Sequence, residues 1–140
     1  MYGFLSFVVI RGGYTAGMKV SAAAVVFQVE NVDRAVAYYR DVLGFEPDFH
    51  FGNYAGMHFG EFYVHLCGHQ IWSRPVGGGA AMVFCDEVDG YCAQISGLGA
   101  KIEAAPADQQ YEMRDFVTRD LDGNLLTFGC ELAKSGRSDG

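Results

Sequence analysis

One supersecondary pattern occurs twice along the chain, and it limits the possible folds more than any other feature. An apolar strand-like segment at 23–29 is followed by a Val-Asp pair at 32–33 and a helix-like stretch, and the same order returns at 80–85 and 88–89. Three further strand-like segments follow each helix. A repeat at about half the chain length indicates two paired modules, because one module of this size could hardly bury its own sheet face.

The first half of the chain is predicted to form a strand, a helix and three strands. Asn31 or Asp33 can cap the helix, and Gly44 ends it at a position where a left-handed residue is favoured. Apolar residues recur in the helix at spacings of three and four, which predicts one buried face: Val32, Ala35, Val36, Tyr39, Val42 and Leu43. The predicted strands are Phe45–Phe51, Tyr54–Phe59 and Phe62–Cys67.

The second half of the chain repeats this order. Asp86 can cap its helix and Gly99 ends it, and a helical stripe runs through Val88, Cys92, Ile95 and Leu98. The predicted strands are Ala100–Ala104, Phe116–Arg119 and Leu125–Cys130, and the motif LDGN forms a tight turn before the last of them. Because 106–116 begins with polar residues, we expect this segment to be a loop over the mouth of a binding site.

Composition and charge disfavour two classes of partner. The 140 residues carry a formal net charge of -7 and only ten lysines and arginines, which are scattered. Because phosphate backbones are bound by clustered basic residues, nucleic-acid binding is disfavoured, whereas a cationic ligand is tolerated. The apolar run Phe4–Ile10 is far shorter than the ~20 residues of a spanning helix, and no basic residue precedes it. We therefore predict neither a membrane span nor a signal peptide.

The cysteines and the chain ends complete the predicted organisation. Four cysteines lie in apolar runs without a C-x-x-C pair, which indicates reduced thiols in a cytoplasmic protein. We predict one domain over 18–134, made of modules 23–68 and 79–132 and joined by a glycine-rich linker. Residues 1–17 are either an extension dispensable to the fold or a segment that docks on a sheet or a partner. The polar tail 135–140 is expected to fray.

Two motifs resemble one known superfamily. The stretch VENVDRAVAYYRDVLGFE at 29–46 resembles the first helix and its exit in the vicinal oxygen chelate superfamily, which includes glyoxalase I, extradiol dioxygenases and bleomycin-resistance proteins. The stretch RDFVTRDLDGNLLTFGCEL at 114–132 resembles its closing hairpin, with Leu121 where proline is usual. The resemblance spans Ala23 to about Leu132. It implies an α+β fold in which two paired βαβββ modules form a cupped mixed sheet.

The resemblance also implies a ligand site inside the cup, often completed by a second chain. Enzymes of the superfamily hold a divalent metal there through His, Gln or Glu side chains. The matching positions in this chain are Ala24 and Ala80 on the first strands, His65 on one closing strand and Thr127 on the other. Alanine has no donor atom and threonine is a poor ligand for zinc, iron or manganese. We therefore predict no metal and no other cofactor.

These inferences predict a metal-free protein of the glyoxalase/bleomycin-resistance type. We expect a homodimer that binds a small molecule and sequesters a cationic or aromatic antibiotic. Aromatic rings stack on flat groups and carboxylates attract positive charge, and the candidate carboxylates are Glu61, Glu103 and Glu112. The predicted ligand-binding residues are Phe59, Tyr63, His65, Trp72, Tyr111 and Arg114.

Alternatives from other classes remain open at this point. A metal-dependent lyase or dioxygenase of the same superfamily would retain zinc, iron or manganese on purification. A non-catalytic subunit would bind a segment of another chain in its cup. Arg114 either meets an anionic ligand group or pairs with Asp115 or Glu112 on the surface. The sequence contains no G-x-S-x-G motif that would indicate a serine nucleophile.

Overall fold

The duplicated order predicted from the sequence is present in the computed structural model, which describes residues 17–70 and 73–133. Each half forms a strand, a helix and three more strands. The elements in chain order are β1 (Ala24–Gln28), α1 (Val32–Asp41), β2 (Glu46–Phe51), β3 (Tyr54–Phe59), β4 (Phe62–Cys67), β5 (Ala80–Phe84), α2 (Val88–Gly97), β6 (Lys101–Asp108), β7 (Met113–Arg119) and β8 (Leu125–Glu131).

Each module forms its own four-stranded mixed sheet. The strand orders are β1-β4-β3-β2 in the first sheet and β5-β8-β7-β6 in the second. In both sheets the first strand runs parallel to the fourth, and the other neighbours are antiparallel. This arrangement confirms the α+β class. It also leaves β1 and β5 at the edges of their sheets, so their outer backbone edges are not paired with another strand of the same sheet.

The two helices begin differently. The side chain of Asn31 accepts a hydrogen bond from the backbone N–H of Arg34 at 2.9 Å, as predicted for the cap of α1. Gly44 has φ 81°, so the chain leaves α1 through a left-handed residue. The prediction of Asp86 as the cap of α2 is wrong. Glu87 holds that position instead, and its side chain makes no capping hydrogen bond, so α2 starts with its backbone donors less well satisfied.

The predicted loop at 106–116 is mostly strand. β6 continues through Pro106 to Asp108, and β7 begins at Met113, so only 109–112 connects them. Proline is tolerated because β6 is the edge strand of its sheet, and its pairing with β7 shifts between Ala104 and Ala107. The segment therefore extends the second sheet and covers no binding site as a loop.

One hydrophobic core lies on the inner faces of both sheets and holds both helices. Fully buried apolar residues come from both modules, including Phe27 and Leu66 in the first and Phe116 and Leu126 in the second. Burial of this shared surface holds the modules together. Within the described residues, no helix has the length and apolar character needed to cross a membrane.

Buried polar contacts fix the closing turn of the second module against α1. One carboxylate oxygen of Asp120 accepts the backbone N–H groups of Asp122, Gly123 and Asn124 at 2.9, 3.0 and 2.9 Å. The other accepts the hydroxyl of Tyr39 at 2.8 Å and the side-chain amide of Asn124 at 2.9 Å. Asp120 is 6% exposed, so these bonds are shielded from water and link the two modules.

Candidate functional site

The outer face of the first sheet, which points away from the helices, carries two of the predicted ligand-binding residues. Side chains alternate between the two faces of a strand, and Val64 is buried in the core, so Tyr63 and His65 point outward. Phe49 and Tyr54 lie beside His65, with ring centroids 5.1 and 5.4 Å from its ring. This face therefore offers aromatic rings grouped around one imidazole.

Tyr54 orients this imidazole. Its hydroxyl and Nδ1 of His65 lie 2.9 Å apart and share a hydrogen bond. The ring of Phe49 stacks on Tyr54 at 6.2 Å, and Gly56 makes room for it, since a Cβ at Gly56 would overlap the Phe49 ring. Burial, followed by the nearby Cys67, raises the pKa of Tyr54, so its hydroxyl stays protonated at neutral pH. One ring nitrogen of His65 is thus engaged by the protein itself.

The outer face of the second sheet has a different chemistry. Thr127 of β8 holds the position that His65 holds in the first sheet. Its register partner is Met82 of β5, whereas the partner of His65 is Val26 of β1. Asp115 is only 4% exposed, and its carboxylate accepts the hydroxyl of Tyr111 at 2.6 Å and the side-chain amide of Gln109 at 3.1 Å. The hydrogen bond to Asp115 raises the pKa of Tyr111. Tyr111, Gln109 and Asp115 bond to one another here, and exposed Met82 and Phe84 add apolar surface.

The residues at the positions implied for a metal do not fit one. Ala24 and Ala80 lie at the exposed starts of β1 and β5, and Thr127 lies on β8. His65 is the one side chain among these four positions with a strong donor atom. In the part of the chain that the structure describes, no group of three or more His, Cys, Asp or Glu is placed to hold a metal ion. A single imidazole cannot hold zinc, iron or manganese against water.

A cavity of about 900 Å³ lies where the two modules meet. It is bounded by the turn between β3 and β4, the end of β5 and the start of α2. This volume is in the range of pockets that bind drug-sized molecules. Its apolar walls are formed by Phe59, Phe62, Met82, Phe84, Tyr91 and Phe128.

Tyr91 is the fixed ring of this cavity. Its hydroxyl donates a hydrogen bond to the carbonyl of Leu43 at 2.6 Å, which ties α2 to the end of α1. Its ring packs against Phe128 at 4.9 Å and Phe59 at 5.5 Å. Burial raises the pKa of Tyr91. Phe84 is by contrast 76% exposed, so a ligand entering the cavity would cover apolar surface that water now contacts.

The charged residues that line the cavity are all acidic. Glu61 comes from the turn between β3 and β4, and Asp86 and Glu87 come from the segment before α2. No lysine, arginine or histidine occurs among the described lining residues. Asp86 and Glu87 also complement the positive end of the α2 dipole, whereas Glu61 belongs to no helix. The cavity therefore has a negative potential and favours positive charge.

The predicted ligand-binding residues do not form one group. Phe59 lines the cavity, whereas Tyr63 and His65 lie on the outer face of the first sheet. Tyr111 follows β6 and is bonded to Asp115 on the second sheet.

Arg114 is held by two carboxylates. Its guanidinium bonds Asp89 at 3.0 Å and Asp108 at 2.9 Å, which raises its pKa, and Asp115 bonds elsewhere. The sequence left open whether Arg114 meets a ligand or forms a surface ion pair with Asp115 or Glu112. In the structure Arg114 forms ion pairs, and its partners are Asp89 and Asp108. The prediction for Trp72 lies outside the described residues.

Sequence reasoning missed most of the cavity walls. Met82 and Phe84 alternate with Ala81 and Val83 along β5, and this period-two pattern places one apolar set on each face. That pattern was a signal that one set needs a partner outside the core. Tyr91 carries no such signal, because an aromatic residue in a helix is usually a core residue.

Comparison of the sequence with protein families gives one match that spans most of the chain. The sequence model described as Glyoxalase/Bleomycin resistance protein/Dioxygenase superfamily matches residues 21–128. No curated protein sequence matches this chain significantly.

Solved structures with the same architecture are numerous. TioX from Micromonospora sp. ML1 superposes with a TM-score of 0.69 at 25% identity, over 81% of this chain and 100% of that one. The bleomycin-binding protein of bleomycin-producing Streptomyces verticillus, complexed with copper(II)-bleomycin, gives 0.65 at 23%, over 84% and 99%. Lactoylglutathione lyase from Agrobacterium tumefaciens gives 0.65 at 22%, over 81% and 96%. The last two likenesses show a shared fold.

Proposed function

This chain belongs to the glyoxalase/bleomycin resistance protein/dioxygenase superfamily, and we propose that within it the protein is a metal-free binder of an organic cation with an aromatic or apolar body. Its role would be to sequester such a molecule, a class that includes cationic antibiotics. The bleomycin-binding protein of Streptomyces verticillus shares the fold, and the ligand class proposed here rests on the cavity of this chain.

The observation that carries the proposal is the composition of the cavity of about 900 Å³. Rings such as Tyr91, Phe59 and Phe84 present faces that attract cations and stack on flat groups. Glu61 adds a carboxylate from the turn between β3 and β4. A flat cation satisfies both features, whereas an anion would be repelled by every charged residue of the lining.

Two further parts of the proposal concern the oligomeric state and the cellular compartment. The outer backbone edge of β5 is not paired with another strand of its sheet, and a second copy of the chain would cover it, which supports a homodimer. All four cysteines are unpaired thiols, which supports a reducing compartment such as the cytoplasm. Light scattering over a range of protein concentrations tests the dimer.

Titration with a cationic dye tests the ligand class. We expect the benzothiazolium dye thioflavin T to bind the full-length protein, and an anionic dye of similar size, such as 8-anilinonaphthalene-1-sulfonate, to bind more weakly. Glu61→Gln should weaken thioflavin T binding about fivefold, equivalent to about 1 kcal/mol. Phe84→Ala should weaken it about tenfold through lost apolar contact.

The control for Glu61→Gln is Asp48→Asn, which removes the same charge from β2, outside the cavity lining. Asp48→Asn should bind thioflavin T as the wild type does. If the two cavity variants, Glu61→Gln and Phe84→Ala, also bind it as the wild type does, the proposal is wrong. Thermal-shift screening with bleomycin-like drugs and small metabolites then narrows the natural ligand, since a ligand of the folded state raises its midpoint.

Elemental analysis distinguishes the proposal from a metal-dependent lyase or dioxygenase. Protein purified without chelator is expected to contain far less than one zinc, iron or manganese ion per chain, because Ala24, Ala80 and Thr127 replace three of the four usual ligands. A stoichiometric ion would contradict the proposal and direct attention to His65 and its neighbours.

A further inference from the structure

Two of the four cysteines are neighbours in the second sheet, since Cys85 directly follows β5 and Cys130 lies on the adjacent strand β8. β5 and β8 run parallel, and their last register pair is Phe84 with Gly129. The backbone N–H of Cys85 donates to the carbonyl of Gly129 at 2.8 Å, which continues this pairing by one position. Cys85 and Cys130 are therefore side by side, on strands that lie about 4.8 Å apart.

Both thiols lie on the same face of the sheet. Side chains alternate along a strand, so the residues that follow outward-facing Phe84 and Gly129 both turn inward. In agreement, Cys85 and Cys130 are half-buried and pack against the same hydrophobic core. Adjacent residues on one face of neighbouring strands have Cα separations of about 5 Å, within the range that a disulfide spans.

The other two cysteines have no such neighbour. Cys67 lies on β4 of the first sheet, where its sulfur contacts His69. Cys92 lies on the buried face of α2. Burial, followed by the charge of Cys130 and that of Asp86, raises the pKa of the Cys85 thiol, and the contribution of Cys130 agrees with two sulfurs that lie close together.

We propose that Cys85 and Cys130 form a reversible disulfide when the protein meets hydrogen peroxide, and that this bond changes ligand binding in the adjoining cavity. The second half of the statement depends on the proposed function, because Cys85 is one of the lining residues of that cavity. The disulfide would connect the wall next to Phe84 to β8, and it would close a loop containing all of α2.

The reaction balances with peroxide as the oxidant. One thiolate attacks a peroxide oxygen, the O–O bond breaks, and a sulfenic acid and one water form. The second thiol then attacks the sulfenic sulfur, the S–O bond breaks, and the disulfide and a second water form. The two thiols together lose two electrons to the peroxide, and their protons leave in the waters. A thiol reductant reverses the change.

Peptide mapping without reduction tests the bond. The full-length protein is reduced, freed of reductant, exposed to hydrogen peroxide, and digested, and we expect one linked pair of peptides containing Cys85 and Cys130. The oxidised protein should melt roughly 5 to 10 °C higher than the reduced protein, because the crosslink closes a long loop. Dithiothreitol should restore the original midpoint.

Single cysteine-to-serine variants identify which two cysteines form the link. Cys85→Ser and Cys130→Ser should each abolish the link and the melting shift, whereas Cys67→Ser and Cys92→Ser should keep the link. If the wild type retains both thiols or oxidises each of them separately, the inference fails, and that result does not depend on how any variant folds.

Thioflavin T titration of the reduced and oxidised forms then tests the effect on the cavity. We expect at least a threefold difference in Kd. Equal affinities despite a mapped disulfide would overturn the regulatory part of the inference. Failure of the reduced protein to bind the dye would overturn the proposed function, while the peptide map would still decide whether the disulfide forms.

Discussion

The outer face of the first sheet carries Phe49, Tyr54 and His65, whereas the matching face of the second sheet carries Met82 and Thr127. The backbone paths of the two modules are alike, with the same strand order and the same parallel first pair. Duplication has thus kept the architecture and not the chemistry. A site that needs equivalent donors from both modules is therefore not formed by the residues at these positions.

The modules also differ in helix capping and in how many buried apolar residues they contribute to the core. The first module has a side-chain cap on its helix and supplies most of the fully buried apolar residues. The second has no side-chain cap on α2 and provides most of the cavity lining. We infer that the first module contributes more to the stability of the core and that the second contributes more of the cavity wall. Changes in the two modules can test this division.

Removal of the Asp120 side chain should lower the free energy of unfolding more than any other change considered below. Asp120→Ala leaves Tyr39, Asn124 and three backbone N–H groups without their acceptor, in a region shielded from water. We expect a loss of about 3 kcal/mol in the free energy of unfolding, measured by urea denaturation. Glu61→Gln, in the corresponding turn of the first module, should cost less than about 0.5 kcal/mol. Similar losses in both turns would contradict the asymmetry.

The two tyrosines that join the modules should differ less than the two turns do in their contribution to the free energy of unfolding. Tyr39 donates to the carboxylate of Asp120 and is fully buried, whereas Tyr91 donates to the carbonyl of Leu43 and is partly exposed. Hydrogen bonds to charged groups are stronger, so Tyr39→Phe should cost about 1.5 to 2 kcal/mol and Tyr91→Phe about 1 kcal/mol. Urea denaturation at pH 7 measures both, and a larger cost for Tyr91→Phe would reverse the order.

The same tyrosines predict instability in alkali. Burial raises the pKa of Tyr39 and Tyr91 in the folded state, and for Tyr39 the charge of Asp120 adds to this effect. Below pH 10 both states keep these protons, but above it the unfolded chain loses them first, so stability falls as pH rises. Each tyrosine should contribute a slope of about 1.4 kcal/mol per pH unit there. Tyr39→Phe should flatten the loss, and an unchanged slope would show that its ionisation is not involved.

Changes at the two helix caps should give small losses in the free energy of unfolding. Asn31→Ala removes the acceptor for the N–H of Arg34 and should cost about 1 kcal/mol. Glu87→Ala removes a side chain that makes no capping bond, so its cost should be less than about 0.3 kcal/mol. Thermal unfolding of both variants in the same buffer measures the difference. Equal costs would indicate that α2 is capped after all in solution.

The elements of the fold were largely predictable, and the exceptions have physical reasons. Strands β3 and β4 match their predicted bounds because turn residues flank each short apolar run. The segment 106–116 was misassigned because its polar start was taken to indicate a loop. Its first residues instead continue β6, which lies at a sheet edge where Pro106 removes no ladder hydrogen bond. Asp86 was misassigned as a cap because the adjacent Glu87 occupies the site.

The amino-acid sequence by itself determined the two modules and the residue types at the positions implied for a metal, since local periodicity and side-chain chemistry are properties of short segments. Only the tertiary structure decided where a ligand would fit. Glu61, Phe84 and Tyr91 come from three separate elements, and Cys85 meets Cys130 only through the register of two strands. A cavity is the space left between surfaces that are distant in sequence, so no local pattern records it.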